Sequence, residues 1–193
     1  NNRPAVNADE VLNITPADIV HGPETAKATL IEYSDFQCPA CGAYYPVLKQ
    51  IKEELGDELR FVYRNFPLWQ IHPNAQIAAQ AAQAAALQDK FWEMHDMLFE
   101  KQEAWSSLNA TQVRNTFTNY AQTLGLDIEK FKTDLDSDLV KQKIMVDIDG
   151  ADALRVNATP TFFLNGKQLV NPGSYEALLK MIQDEITTNT ETE

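Results

Sequence analysis

Apolar residues change their spacing along this chain, and each change marks a different kind of element. From Thr29 to Ser34 the run T-L-I-E-Y-S carries Leu30, Ile31 and Tyr33, residue types that suit a pleated, buried surface, and it predicts a strand. Tyr44, Val47, Leu48, Ile51 and Leu55 then recur at helical spacing until Gly56 stops the run. Leu59 to Arg64 returns to strand character. Strand, helix, strand in this order implies a parallel pair joined by a crossover helix.

Residues 73–156 read as helical throughout. Pro73 opens a helix whose Ala78, Ala81, Ala82 and Ala85 would let a neighbour approach closely. Phe91, Trp92, Met94, His95, Leu98 and Phe99 suggest a second, and Asn109 with Gln112 forms a capping-box pattern for a third, ended by Gly125. Asp127 starts a short fourth, and a fifth carries Val140, Ile144, Ile148 and Ala151. The period then shortens again. Thr161–Leu164 and Lys167–Val170 flank Asn165-Gly166, a strong hairpin signal. A last amphipathic helix follows, with Ser174 as cap and Leu178, Leu179, Ile182 and Ile186 on one side.

At the other end, residues 1–28 form a leader with a short apolar patch at Val11, Leu12 and Ile14. Thr15-Pro16-Ala17-Asp18 reads as a helix start, and His21-Gly22-Pro23 as a turn. The organisation is therefore a leader (1–28), a first α/β half (29–72), a mostly helical insertion with its return helix (73–156), a second half (157–187) and a polar, frayed tail (188–193).

Composition narrows the function. The 193 residues are 44% hydrophobic, enough for an ordinary core, and carry a net charge of −12. That charge opposes nucleic-acid binding, which needs basic patches, and docking on an anionic membrane surface. No apolar stretch approaches the roughly 20 residues needed to span a bilayer. The chain opens on Asn1-Asn2-Arg3-Pro4 without Met, which reads as a mature or trimmed chain, with any targeting segment outside it. Two cysteines, both in one C-x-x-C, suit an oxidising compartment.

Those cysteines, Cys38 and Cys41, lie between the first strand and its helix and enclose Pro39 and Ala40. Disulfide exchange needs an attacking thiolate and a second thiol that can reach it. At a helix start the first sulfur sits exposed at the N-terminus, where unsatisfied N–H groups and the helix dipole lower its pKa below roughly 8.5. The second lies most of a turn later, on the buried side. Pro39 suits the first turn, where its missing N–H costs nothing. A structural zinc would want four ligands, and His21, His72 and His95 are scattered. A purely structural disulfide would close so short a loop that its entropic gain is small.

With these cysteines stand Glu32-Tyr33-Ser34-Asp35-Phe36-Gln37 ahead of the pair, Arg64-Asn65-Phe66-Pro67-Leu68, and Ala158-Thr159-Pro160-Thr161-Phe162-Phe163-Leu164-Asn165-Gly166. In this combination the sequence, from about residue 22 to 186, resembles the thioredoxin superfamily, and within it the DsbA-like branch of bacterial extracytoplasmic disulfide oxidoreductases. The resemblance implies an α/β thioredoxin fold with an inserted α-helical subdomain. It implies a cis bond at Thr159–Pro160 beside the cysteines, with backbone groups free to pair with an extended substrate. It also implies an acid, Glu32, beneath the pair, able to exchange a proton with Cys41; the alternation of a strand leaves a solvent-facing Glu32 as the other reading.

The implied activity is oxidation of cysteine-containing, unfolded or partly folded proteins by a monomer working outside the cytoplasm. A membrane quinone-linked oxidase would then restore its disulfide. No metal, flavin or nucleotide motif is present, so the cysteine pair itself would carry the electrons. Two positions depart from the branch. Ala158 replaces a frequent Gly, which stiffens the loop, and Ala40 replaces the His that strongly oxidising members place before the second cysteine. Such a His helps stabilise the thiolate, and a more stable thiolate makes a stronger oxidant. A reductase or isomerase working from the dithiol, and a binding module or chaperone that keeps the fold without turnover, are the rival readings.

Other features are read plainly. Asn13-Ile14-Thr15, Asn109-Ala110-Thr111 and Asn157-Ala158-Thr159 are chance matches to the glycosylation triplet, and Asp147, Asp149 and Asp152 make a solvated acidic face. Trp69, Trp92 and Trp105 are packing residues, while Phe36, Pro67 and Trp69 could form an apolar rim around Cys38.

Overall fold

The computed structural model describes residues 7–170 and 172–191. Its centre is the expected parallel pair, β2 (Ala28–Ser34) and β3 (Leu59–Asn65), joined by α2 (Pro39–Leu55) and a single 3-10 turn at Gly56–Glu58. Three short strands complete a five-stranded sheet: β1 (Ile19–His21) antiparallel to β3, β4 (Thr161–Leu164) antiparallel to β2, and β5 (Lys167–Gln168) antiparallel to β4. Asn165 and Gly166, both at positive φ, make the tight turn of that last hairpin. The expected strand to Val170 stops at Gln168, although the Leu169 N–H still donates to Phe162 O at 2.9 Å.

The region between β3 and β4 holds α3 (Ala75–Ala86), α4 (Phe91–Glu100), α5 (Gln102–Ser106), α6 (Ala110–Thr123), α7 (Ile128–Leu135) and α8 (Asp138–Ala153). Asn109 and Gln112 form the reciprocal capping box, Asp127 caps α7 and Ser137 caps α8. Pro73 lies just outside α3, whose cap position is Asn74; the Asn74 side chain is drawn away to Trp105 O, Ser106 O and Leu108 O. Trp105 is fully buried, with its indole N–H on Leu98 O at 2.9 Å. Among the described residues no helix is long and apolar enough to cross a membrane.

The leader departs from expectation. A short α1 (Ala8–Val11), capped by Asn7, carries the apolar patch, and Thr15–Asp18 is a tight turn instead of a helix start. The Thr15 N–H and hydroxyl both donate to Asp18 Oδ2, at 2.8 and 3.1 Å. The reason lies across the sheet. Arg64, buried in β3, donates to Asp18 Oδ1 at 2.9 Å and to the carbonyls of Val11 and Asn13, so the leader is laid onto the sheet as β1. The turn into β2 needs Gly22, at φ +90°, because a Cβ there would lie 2.2 Å from Leu59 O.

The tail departs too. The last helix, α9 (Tyr175–Glu191), runs through residues expected to fray. Thr187, Thr188 and Thr190 turn their hydroxyls back onto carbonyls four residues earlier, and Asn189 donates to Lys27 O at 2.8 Å, tying the end to the start of β2. Nor is Asp147 part of a solvated face. It is 3% exposed, ion-paired with Lys143, and accepts the Asn65 backbone and side-chain N–H groups at 3.0 and 2.9 Å.

The buried Arg64–Asp18 pair should matter far more than a surface cap. We expect Asp18→Ala to lower unfolding stability by about 3–5 kcal/mol, since it strands a buried cation. Asn109→Ala should cost about 1 kcal/mol. Urea denaturation of both variants checks the ranking.

Candidate functional site

Alternation along β2 sends Tyr33 toward Arg64 and α8, and Glu32 and Ser34 to the other face, toward α2. The strand's end then turns sharply into the helix. Asp35 organises this turn: its carboxylate accepts the N–H of Gln37 at 2.7 Å and of Leu68 at 2.9 Å, and meets His72 Nδ1 at 2.7 Å. Its carbonyl accepts the Cys38 N–H at 3.1 Å. Cys38 is the N-cap of α2, Pro39 opens the first turn, and Cys41 follows on the inner face. Pro39 and Ala40 are exposed.

Both cysteines are free thiols, and their surroundings differ. Cys38 is pulled down to about 5, first by the hydrogen bond from the Cys41 thiol. Burial pushes the other way, and the N–H groups of Cys41 and Ala40 lower it further. Burial drives the Cys41 thiol well upward, reinforced by its bond to Cys38 and by the nearby Glu32. One sulfur is thus poised as an anion and the other as a thiol. Contrary to expectation, Cys38 is not openly exposed: 7% of it reaches solvent, because the loop before β4 covers it, with Thr159 O at 3.4 Å from its sulfur.

The Thr159–Pro160 peptide is cis. Ala40, Tyr44, Thr159, Pro160 and Phe162 line a groove of about 500 Å³ beside it. The buried Thr159 hydroxyl has no hydrogen-bond partner among the described residues.

Glu32 lies inside, 2% exposed, in the central strand between Tyr63 and Phe162. Burial raises its carboxyl to about 7, against the bond from the Ser34 hydroxyl at 2.7 Å and the field of Lys52. The solvent-facing alternative is therefore not what the structure has. The apolar rim is also corrected. Phe36 is 1% exposed and stacked on Tyr63 in the core, Pro67 is buried, and only Trp69, 44% exposed, remains at the surface.

The insertion contributes contacts that sequence reading missed. Gln37 donates to Ser106 O at 2.8 Å, and Gln102 donates to Phe36 O and Cys38 O. Ser34 could have been found, since it is two residues from Glu32 and on the same face. Gln102 carries no such signal, because its partners are backbone atoms more than sixty residues away. Among the described residues, no three His, Cys, Asp or Glu side chains gather as a metal site would require.

A strand ending in a helix-capping cysteine, a buried second cysteine, an acid beneath and a cis-proline loop opposite can support thiol–disulfide exchange. Together they fit a protein of the thioredoxin family. The chain belongs to the thioredoxin family, whose sequence profile matches residues 14–184.

Its fold is similar to that of Wolbachia pipientis alpha-DsbA1, with TM-score 0.85 at 20% identity over 96% of this chain and 99% of that one. BdbD from Bacillus subtilis, in its oxidised form, gives TM-score 0.76 at 25% identity over 89% and 94%. Among curated proteins it is 40% identical over 161 residues to Na(+)/H(+) antiporter NhaA 3 of Salinispora tropica, covering 83% of this chain and 24% of that protein. It is 41% identical over 160 residues to Na(+)/H(+) antiporter NhaA of Herminiimonas arsenicoxydans. The chain spans about a quarter of the length of these curated relatives.

The folded chain holds the Glu32 proton more tightly than the unfolded chain does. Its contribution to stability is full below the ordinary value of 4.5 and is lost as pH rises to about 7. We therefore expect Glu32→Gln to flatten that slope, gaining on the order of 3 kcal/mol relative to the unsubstituted protein between pH 4 and pH 8. Chemical denaturation at the two pH values reads this directly.

Proposed function

We propose that this protein is a thiol–disulfide oxidoreductase that oxidises the thiols of unfolded or partly folded proteins. The carrying observation is the unequal pair: Cys38 stabilised as an anion, Cys41 held as a buried thiol. A stable Cys38 thiolate favours the dithiol form, which makes the disulfide form a donor of oxidising equivalents.

In the forward cycle a substrate thiolate attacks Cys38 Sγ of the Cys38–Cys41 disulfide. The Cys38–Cys41 bond breaks, a substrate–Cys38 bond forms, and Cys41 leaves as a thiolate that takes a proton from Glu32. A second substrate thiolate then attacks the substrate sulfur of that bond. The substrate leaves with its own disulfide, Cys38 leaves as a thiolate, and two electrons remain on the pair. Extended substrate pairs with the backbone beside Thr159 and Pro160, next to the loop that covers the reacting sulfur. The pair carries the electrons without a further cofactor. A membrane redox partner reoxidises it.

Such a cycle belongs outside the cytoplasm, where disulfides persist. The likeness to alpha-DsbA1 and BdbD supports the reading at the level of the fold. The relatives named as antiporters support a place beside a membrane; their match is confined to a quarter of each, and ion transport is no part of the proposal. A reductase reading draws on Ala40, which withholds the charge a His would add next to Cys41.

Equilibration of the pair with defined glutathione buffers decides the direction. A reduction potential near about −120 mV is the expected outcome, and one near about −270 mV would make the protein a reductase. Cys38→Ser should abolish oxidation of a reduced test protein. A variant that still assisted folding at full strength would mark a binding module instead.

A further inference from the structure

The attacking sulfur sits on a loop, Phe36–Cys38, which reaches the helical insertion through Gln37 and is met from the insertion by the uncharged side chain of Gln102. Gln102, the first residue of α5, donates from its amide nitrogen to Phe36 O at 2.7 Å and to Cys38 O at 2.9 Å. The Cys38 carbonyl also accepts the Gly42 N–H at 3.0 Å, the first hydrogen bond of α2. The other end of the same amide explains the residue at 42. A Cβ on Gly42 would lie 2.5 Å from Gln102 Oε1, so only glycine leaves the amide its seat.

Carbonyl oxygens carry partial negative charge, and these two belong to the short loop that carries the sulfur, one of them to Cys38 itself. N–H donors on those oxygens offset that charge, and they hold the loop where the helix N–H groups can meet the sulfur. We propose that Gln102 is a positioning residue for the attacking sulfur: its amide locks the Phe36–Cys38 loop and offsets carbonyl charge beside the thiolate, making the insertion a determinant of redox strength. This rests on the reading of Cys38 as the attacking group.

Titration of the Cys38 thiolate by its ultraviolet absorbance, in the full reduced protein, tests it. Gln102→Ala should raise the Cys38 pKa by about one unit, about tenfold in the thiolate equilibrium. Gln102→Glu should raise it further, because a carboxylate then faces the anion. Gly42→Ala should reproduce the Gln102→Ala shift by displacing the amide, and the double variant should shift no more than Gln102→Ala alone.

Trp105→Phe, which loosens α5 through the lost bond to Leu98 O, separates stability from positioning. It should lower the melting temperature and leave the titration in place. An unchanged titration in Gln102→Ala and Gln102→Glu would overturn the proposal. So would an equal shift in Trp105→Phe, or additive shifts from Gly42 and Gln102. If the unsubstituted protein showed no low-titrating thiol, the fault would lie with the parent reading of Cys38.

Discussion

The parallel pairing of Ala28–Ser34 with Leu59–Asn65 is the constraint on which the rest of the molecule depends. Parallel neighbours cannot be joined by a tight turn, so the chain must leave the end of the first strand, cross over and return. The crossover is a helix, and it begins within five residues of the strand's last position. Its N-terminus is therefore fixed against the end of the sheet, and so are the cysteine at its N-cap position and the loop of β4 that lies over that cysteine's sulfur.

From that pairing the two faces of the sheet acquire separate duties. On the face of Tyr33, Arg64, Asp18, Asp147 and Lys143 form buried ionic contacts that secure the leader and α8. On the opposite face Glu32 and Ser34 lie among apolar and aromatic groups, beneath the cysteines. Charge neutralised by partners stabilises one side; a carboxyl left short of partners keeps its proton on the other. The same burial that raises Glu32 also raises Cys41, so acid and thiol hold their protons over overlapping ranges of pH.

The central strands, α2 and the hairpin at Asn165-Gly166 were legible because each is specified locally, by period or by turn residues. The placing of Cys38 and Cys41 at a strand–helix junction was legible from their spacing, and the cis bond at Pro160 from the family resemblance. The remainder was set at a distance. Asp18 looks like part of a helix start until Arg64, 46 residues later, takes its carboxylate. Phe36 looks like a surface aromatic until Tyr63 and Phe99 pack on it. The polar tail lacks an apolar stripe, and its helix is tied down by the Asn189 contact with Lys27 O, 162 residues away in the chain. Gln102 is indistinguishable in the sequence from any exposed glutamine.

The bonds that tie the insertion to the Phe36–Cys38 loop run through two primary amides: Gln37 donates to Ser106 O and accepts the Asn74 backbone N–H, and Gln102 donates to Phe36 O and Cys38 O. Amides neither titrate nor draw a counterion cloud, so dilution, brine or acid leaves these ties nearly unaltered. These ties would thus stay constant around a centre that responds to its surroundings. Variation in the medium would be felt at the sulfurs and the buried carboxyl, and scarcely at all in the amides that join the insertion to the Cys38 loop.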